Sequence, residues 1–160
     1  MADSAALLVD EILPHQPMRQ WVLGNCSRHG STSHIHVVVS VPFPLRFLFV
    51  SNPKAMTRVL AVVYRTIATH LAHKAGFTKP LAQTGAVMLI QRFGSALNLN
   101  VHFHMLILDG VYSGGTSGLP LRFRQVKAPT GNELTKLAHT IASRVGRYLE
   151  RQGLLRYTVQ

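Results

Sequence analysis

Apolar positions along the chain recur with two different periods. Spacings of three and four residues predict helices over residues 5–13, 53–75 and 133–152. Pro53 in a first turn and Gly76 after the last periodic residue bound the second helix. Thr130 and Glu133 fit a capping box that would start the third, and Gly153 would end it. Both long helices therefore carry their own start and stop signals.

Period-two alternation and β-branched residues mark the second kind of element. They predict strands over residues 34–41 and 121–126, and apolar, β-prone segments predict further strands over residues 19–23, 85–93 and 101–108. Pro42, Pro44 and Arg46 interrupt the apolar stretch 37–50, so we expect a buried strand or loop there. Glycine and serine make residues 110–118 a predicted loop. This order predicts one α+β domain over residues 1–160, with helices packed on an antiparallel sheet.

Composition adds an expectation about the partner. Apolar residues make up 47% of the 160 residues, no apolar run reaches bilayer length, and the start lacks a signal-peptide pattern, so we expect a cytoplasmic protein without membrane association. Seventeen Lys and Arg against six Asp and Glu give a net charge of +11. That excess favours nucleic acid first and an anionic membrane surface second, and the alternative is a fragment without its acidic half.

Two histidine pairs are the candidate metal ligands. In a strand, residues two apart share a face, so His102 and His104 would present adjacent imidazoles while Phe103 turns to the other face. Such a pair can chelate one divalent ion, but two ordinary, separately hydrogen-bonded histidines have the same spacing. His34 and His36 repeat the pattern, so spacing alone does not choose between the pairs.

The context of the second pair is more specific. Residues 89–110 read Leu-Ile-Gln-Arg-Phe-Gly-Ser-Ala-Leu-Asn-Leu-Asn-Val-His-Phe-His-Met-Leu-Ile-Leu-Asp-Gly. They resemble the transposase family of rolling-circle insertion sequences, the two-tyrosine members of the HUH endonuclease superfamily. The matching positions are Gln91, Phe93, Gly94, Leu97, Asn98, His102, His104 and Gly110. The resemblance extends over residues 5–155, and it makes His34 and His36 incidental.

The resemblance implies an HUH-endonuclease (RRM-like) core that binds single-stranded DNA and one Mg²⁺ or Mn²⁺. His102 and His104 would hold the ion, with Gln91 as the third ligand by position; Asp109 is the nearest carboxylate but reads better as a turn former. The ion would polarise the scissile phosphate, and a tyrosine would attack it to form a 5′-phosphotyrosine. The expected DNA-binding residues are Arg92, Asn98, Arg122 and Arg124.

The chain departs from the family pattern in two respects. It contains no Tyr-x-x-x-Tyr pair, and Tyr148 is the stand-in nucleophile, although its apolar neighbours favour core packing. Residues 24–41 separate two segments that are nearly contiguous in the family, which indicates an insertion or altered segment; the competing interpretation is that they build a new strand. We therefore expect a partial domain with impaired chemistry. The alternatives are a metal-independent basic DNA-binding module and a degraded reading frame.

Overall fold

The computed structural model describes residues 21–23, 35–41, 43–93, 99–114 and 120–154. The predicted helix over residues 5–13, His34, Asn98 and Tyr157 lie outside them. The described elements are β1 (Trp21–Leu23), β2 (Ile35–Ser40), α1 (Phe43–Ser51), α2 (Pro53–Lys74), a 3₁₀ turn (Lys79–Leu81), β3 (Ala82–Gln83), β4 (Ala86–Phe93), β5 (Leu99–Ile107), β6 (Gly110–Ser113), β7 (Arg122–Gln125) and α3 (Gly131–Arg151). The α+β class is confirmed.

The strands form two sheets. The first has the order β1-β2-β5-β4, so the strand with the His-Phe-His sequence is an inner one. Its antiparallel partners are β2, where Val38 lies opposite His104, and β4, where Gln91 lies opposite His102. The short β1 pairs with β2 in parallel. The second sheet has the order β3-β6-β7. Residues 35–40 thus build a strand beside β5, which is the competing interpretation of that part of segment 24–41.

The two long helices form as their sequences predict. The Asn52 side chain accepts a hydrogen bond from the Ala55 amide (3.0 Å) and caps α2, whose first residue is Pro53. At the start of α3, Thr130 and Glu133 form the predicted capping box. These caps matter because the first amides of a helix have no partner within it. The helices begin at or within two residues of the predicted positions.

Helix α1 corrects one expectation. Residues 43–51 form a helix, where the interrupting prolines and arginine had predicted a strand or loop. Leu45, Leu48 and Phe49 recur at helical spacing and pack into the core, Phe49 being 2% exposed. Pro44 lies in the first turn, where proline costs no hydrogen bond. The proline that argued against regular structure is therefore compatible with a helix start.

Strand β6 corrects another. Part of the predicted loop 110–118 is a strand, because Gly110–Ser113 pairs with both β3 and β7. A Cβ on Gly110 would lie 2.3 Å from the backbone oxygen of Arg124. Glycine is needed here for the close approach of two strands rather than for flexibility. A glycine-rich composition predicted the loop, and the pairing partners overrode it.

The three described helices pack on one face of the four-stranded sheet. Along β5 the burial alternates, and Val101, Phe103, Met105 and Ile107 are at most 1% exposed. The intervening residues are half-buried and face the other way. We call the side that carries His102 and His104 the histidine face, and the other side the helix face. Among the described helices none is both long and apolar enough to span a bilayer.

Candidate metal and DNA site

The histidine pair lies in the middle of the sheet. His102 and His104 are half-buried on the histidine face of β5, with ring centroids 6.5 Å apart. Phe103 points to the helix face, where its ring lies 6.1 Å from that of Phe49. This burial fixes the strand's orientation, since turning β5 over would expose Phe103 and bury two imidazoles. The alternation predicted from the sequence is thus what aims both rings to one side.

Gln91 joins the pair across the strand boundary. Its side chain lies diagonally from His104, and the Nε2 of that ring donates a hydrogen bond to the Gln91 Oε1 (3.1 Å). The Gln91 Nε2 in turn donates to the backbone oxygen of Phe93 (3.2 Å). Because the amide nitrogen is held this way, the amide oxygen is directed at the histidines. The structure therefore brings the three predicted metal ligands to one place.

The donor set has a definite chemical character. It offers two imidazole nitrogens and one amide oxygen, all neutral, and the described residues contain no cluster of three His, Cys, Asp or Glu. Imidazole suits transition metals, whereas Mg²⁺ prefers carboxylate and water oxygens. To meet at one ion with bonds of about 2 Å, the rings must turn toward each other, and the His104–Gln91 hydrogen bond must open. The set therefore lacks the carboxylate that Mg²⁺ and Mn²⁺ both favour, and its two imidazoles are donors that a transition-metal ion can accept.

Two other candidate ligands lie elsewhere. Asp109 is fully buried beyond the end of β5, accepts a hydrogen bond from Gln125 (3.4 Å) and receives the Val126 amide on its backbone oxygen. At about 3.3 Å per strand residue, Ile107 alone is roughly 10 Å beyond His104, so Asp109 belongs to the turn. His36 is opposite Leu106 in the register, a row beyond His104. The sequence hypothesis had treated that histidine as incidental.

Tyr148 is not brought to the histidine pair. It lies on α3 and packs against the core cluster that contains Phe103, on the helix face. The sheet thus separates its phenol from the imidazoles. The other described tyrosines are also engaged elsewhere: the Tyr64 hydroxyl donates to the Thr84 carbonyl (2.6 Å), and the Tyr112 ring packs on Phe123 in the second sheet. The packing interpretation of Tyr148 agrees with its position.

The predicted DNA-binding arginines occupy different surroundings. Arg92 is exposed at the register shift of β4, directly after Gln91, where a bulge can re-aim a side chain. Arg122 is exposed on β7. Arg124 instead donates to the Ala75 carbonyl (3.1 Å) at the end of α2 and lies 4.9 Å over the Phe77 ring. Arg124 has a structural partner, while Arg92 is exposed and adjacent in sequence to Gln91.

Sequence reasoning missed the contribution of Arg46. Its Nε donates to the Val41 carbonyl (3.1 Å) and its Nη1 to the Leu99 carbonyl (3.3 Å). These bonds connect α1 to the chain after β2 and to the start of β5, at the end of the strands nearest His102. An arginine inside an apolar stretch was the only signal, and it was interpreted as an interruption. The guanidinium instead donates to carbonyls that lie beyond the β2–β5 register, which ends at Ser40 and His102.

Comparison with known proteins adds one finding. Residues 85–159 match the family model described as "Putative transposase". The match covers slightly under half of the chain and includes β4, β5 and α3, with Gln91, His102 and His104. No curated protein and no solved structure gave a significant match. The similarity supports a transposase-like function, and through it an interaction with DNA.

Proposed function

We propose that this chain is a transposase-like protein of the HUH type that binds single-stranded DNA through one Mn²⁺ or Mg²⁺ ion held by His102, His104 and Gln91. The observation that carries the proposal is the convergence of two imidazoles and one oriented amide oxygen on the same sheet face. The family match supports it, because residues 85–159 include all three side chains. An HUH-endonuclease (RRM-like) core belongs to the same proposal, supported by the motif on an inner strand and helices on the opposite face.

The neutral donors decide how the site would treat DNA. When bound, the ion supplies Lewis-acid polarisation of a phosphate oxygen. His102, His104 and Gln91 add no negative charge, so they leave the cation's charge available to an anionic ligand. Arg92, exposed next to Gln91, lies where it can neutralise a neighbouring phosphate. The residues therefore orient a phosphate by charge, on a strand that Phe103 holds in place.

The nucleophile is the part that the described residues do not supply. The resemblance implies attack by a tyrosine oxygen on phosphorus, which breaks the bond to the 3′ oxygen and leaves a 5′-phosphotyrosine. Tyr148 packs on the helix face, and Tyr64 and Tyr112 have contacts elsewhere. We infer that nicking by this chain is impaired, while metal-dependent DNA binding is retained.

The second candidate is a basic DNA-binding module that needs no metal. The charge distribution favours it: in the described part of the chain the acidic residues are Asp109, Glu133 and Glu150. Asp109 is buried and Glu133 is paired with Lys74 at 2.7 Å, so little negative charge offsets the basic surface. Binding would then depend steeply on salt and not on Mn²⁺.

Calorimetric titration with Mn²⁺ tests the metal site. We expect the double substitution His102→Ala and His104→Ala to weaken Mn²⁺ binding at least tenfold, because both nitrogen donors are removed. The matched control replaces two exposed helical histidines, His73→Ala and His139→Ala, and should bind as the wild type does. Equal Mn²⁺ affinity in the two double variants would overturn the metal assignment.

A DNA assay on the same proteins tests the rest. Labelled single-stranded DNA should bind more tightly with Mn²⁺ than with EDTA, and only the His102/His104 variant should lose that difference. If the wild type binds equally with Mn²⁺ and with EDTA, the metal-independent module replaces the proposal. Denaturing gels of the same mixtures report covalent adducts; an abundant protein–DNA adduct would contradict the inferred impairment.

A further inference from the structure

The second sheet forms one wall of a groove with a volume of about 870 Å³. Its other wall is the segment that follows α2. Its lining includes Phe77, Leu81, Gln83, Tyr112, Leu121 and Arg122, and we call this site the second-sheet groove. Among the described residues that line it, none is acidic and none belongs to the histidine face. It is therefore a site distinct from the metal centre.

The groove combines flat apolar surface with a cation. Tyr112 packs on Phe123 with ring centroids 5.0 Å apart, which holds its ring in a fixed plane. Leu81 and Leu121 remain 63% and 62% exposed, which is unusual for two large apolar side chains that line the same groove. Arg122 is exposed beside them, and the exposed Lys79 begins the 3₁₀ turn that ends at Leu81. Apolar walls with a basic rim suit a ligand that is flat, apolar and anionic at once.

Single-stranded DNA is a ligand with that character. Its unpaired bases stack on aromatic and apolar side chains, and its phosphates pair with arginine. The basic rim without lining carboxylates complements its charge, and the Gln83 amide can hydrogen-bond a base edge. We propose that the second-sheet groove binds one or more bases of single-stranded DNA, with Tyr112 as the stacking surface and Arg122 as the phosphate contact. This inference rests on the proposed function.

The position of the groove separates its DNA from the metal site. Tyr112 follows the Ile107 end of β5, while His102 lies near the Leu99 end. Ile107 is three residue steps beyond His104, a distance of roughly 10 Å along the strand. The groove would hold a different nucleotide from the one whose phosphate meets the ion. It thus contributes affinity and register, and an oligonucleotide that reaches both places should bind more tightly than a shorter one.

Fluorescence anisotropy with a labelled single-stranded 20-mer, in EDTA, tests the phosphate contact. We expect Arg122→Gln to weaken binding about five- to tenfold and to reduce the salt slope by about one. Arg147→Gln is the matched control, since it removes the same charge from an exposed position on α3. The Arg147 Nε donates a hydrogen bond to the Ser143 carbonyl in its own helix (3.3 Å). Equal effects of the two substitutions would overturn the phosphate contact.

A second comparison tests base stacking. The double substitution Leu81→Ala and Leu121→Ala shortens exposed side chains and should leave the fold intact. We expect it, and Tyr112→Leu, to weaken binding of the normal oligonucleotide several-fold. Binding of an oligonucleotide with abasic sites, which keeps the phosphates, should change little. If Tyr112→Leu does not fold by circular dichroism, the leucine pair carries the test. Equal losses with normal and abasic DNA would overturn the stacking assignment.

The two proposals fail separately. None of these variants touches His102, His104 or Gln91, so each should bind Mn²⁺ as the wild type does. If the histidine substitutions abolish Mn²⁺ binding but the groove substitutions do not weaken DNA binding, only the groove proposal is overturned. If the groove substitutions weaken DNA binding as expected but the His102/His104 variant still binds Mn²⁺, only the proposed metal function is overturned. Efficient competition by duplex DNA would contradict a groove that takes unpaired bases.

Discussion

Replacing Gln91 with glutamate is the sharpest perturbation of the proposed metal site. The amide oxygen is directed at His104, with 3.1 Å between that oxygen and the ring Nε2. Glutamate has the same length and places a carboxylate oxygen at the same point. The substitution converts the weakest proposed donor into the ligand type that hard cations prefer. We therefore expect Gln91→Glu to increase divalent-cation affinity rather than to impair it.

The magnitude follows from the exposure of the site. Gln91 is exposed, so a water-like dielectric applies. Two unit charges 4 Å apart attract by about 1 kcal/mol in water, and a divalent cation doubles this to about 2 kcal/mol. That corresponds to roughly a thirtyfold increase in affinity. Mg²⁺ should gain relative to Mn²⁺, because a carboxylate corrects the shortage of oxygen donors that two imidazoles create.

Calorimetric titrations with Mn²⁺ and Mg²⁺ provide the assay, alongside two companion variants. Gln83→Glu is the matched control: it makes the same change at an exposed glutamine on a strand of the other sheet. Gln91→Ala should weaken Mn²⁺ binding. The reasoning is refuted if Gln91→Glu and Gln83→Glu bind Mn²⁺ with equal affinity, because the carboxylate at position 91 would then be too far from the ion.

Three further expectations concern stability, each measured by urea denaturation. Phe103→Ala should lower the free energy of unfolding by about 3–5 kcal/mol, because Phe103 is 1% exposed. The control Phe47→Ala, at 73% exposure, should change it by less than about 0.5 kcal/mol. Equal losses in the two variants would contradict the core role of Phe103. Gly110→Ala should destabilise by about 1–3 kcal/mol, since its Cβ would meet a backbone oxygen, whereas Gly146→Ala, with open space around it, should stabilise by about 0.5–1 kcal/mol. Hydrogen bonds to its carboxylate lower the pKa of Glu133 from 4.5 to about 2. The contribution of this carboxylate to folding stability is therefore complete above pH 4.5 and is lost as the pH falls toward 2. Glu133→Gln should flatten the dependence of stability on pH in that window, and an unchanged dependence would refute this reasoning.

The helices show what local sequence can specify. In α2 and α3 the apolar period, the caps and the terminal signals all agree, and both helices form where these signals place them. Strand β5 was equally predictable, because alternation records which side of a strand is buried. The burial along β5 follows that alternation residue by residue. Where local signals are consistent, the tertiary structure has nothing to override.

The corrections come from contacts that are distant in sequence. Helix α1 buries Phe49 and its neighbours against α2, β5 and α3. Their helical spacing was a weaker local signal than the prolines, which indicated a strand or loop. Strand β6 exists because two other strands pair with it, despite a composition typical of a loop. The division into two sheets is likewise invisible to periodicity, which gives the faces of each strand but not its neighbours.

For the candidate site, sequence and structure contribute different things. The strand period places His102 and His104 on one face without any structural knowledge. Gln91 is ten residues or more away in sequence, and its approach depends on the register of β4 against β5, which pairs Gln91 with His102. Register is set by burial across both strands, so it was predicted only through the family resemblance. The same register makes Arg92 the bulged residue beside the pair.

The sheet also explains why the proposed metal site and Tyr148 are separated in this chain. Phe103 can anchor the motif strand only by facing the helices, and that choice sends His102 and His104 to the opposite side. The side chains on the buried surface of α3, including Tyr148, consequently lie on the opposite side of the sheet from the proposed ion site. No rotamer change of Tyr148 crosses a hydrogen-bonded sheet. A nucleophile that serves the histidines must therefore approach over the histidine face, and substituting Tyr148 should leave both Mn²⁺ and DNA binding intact.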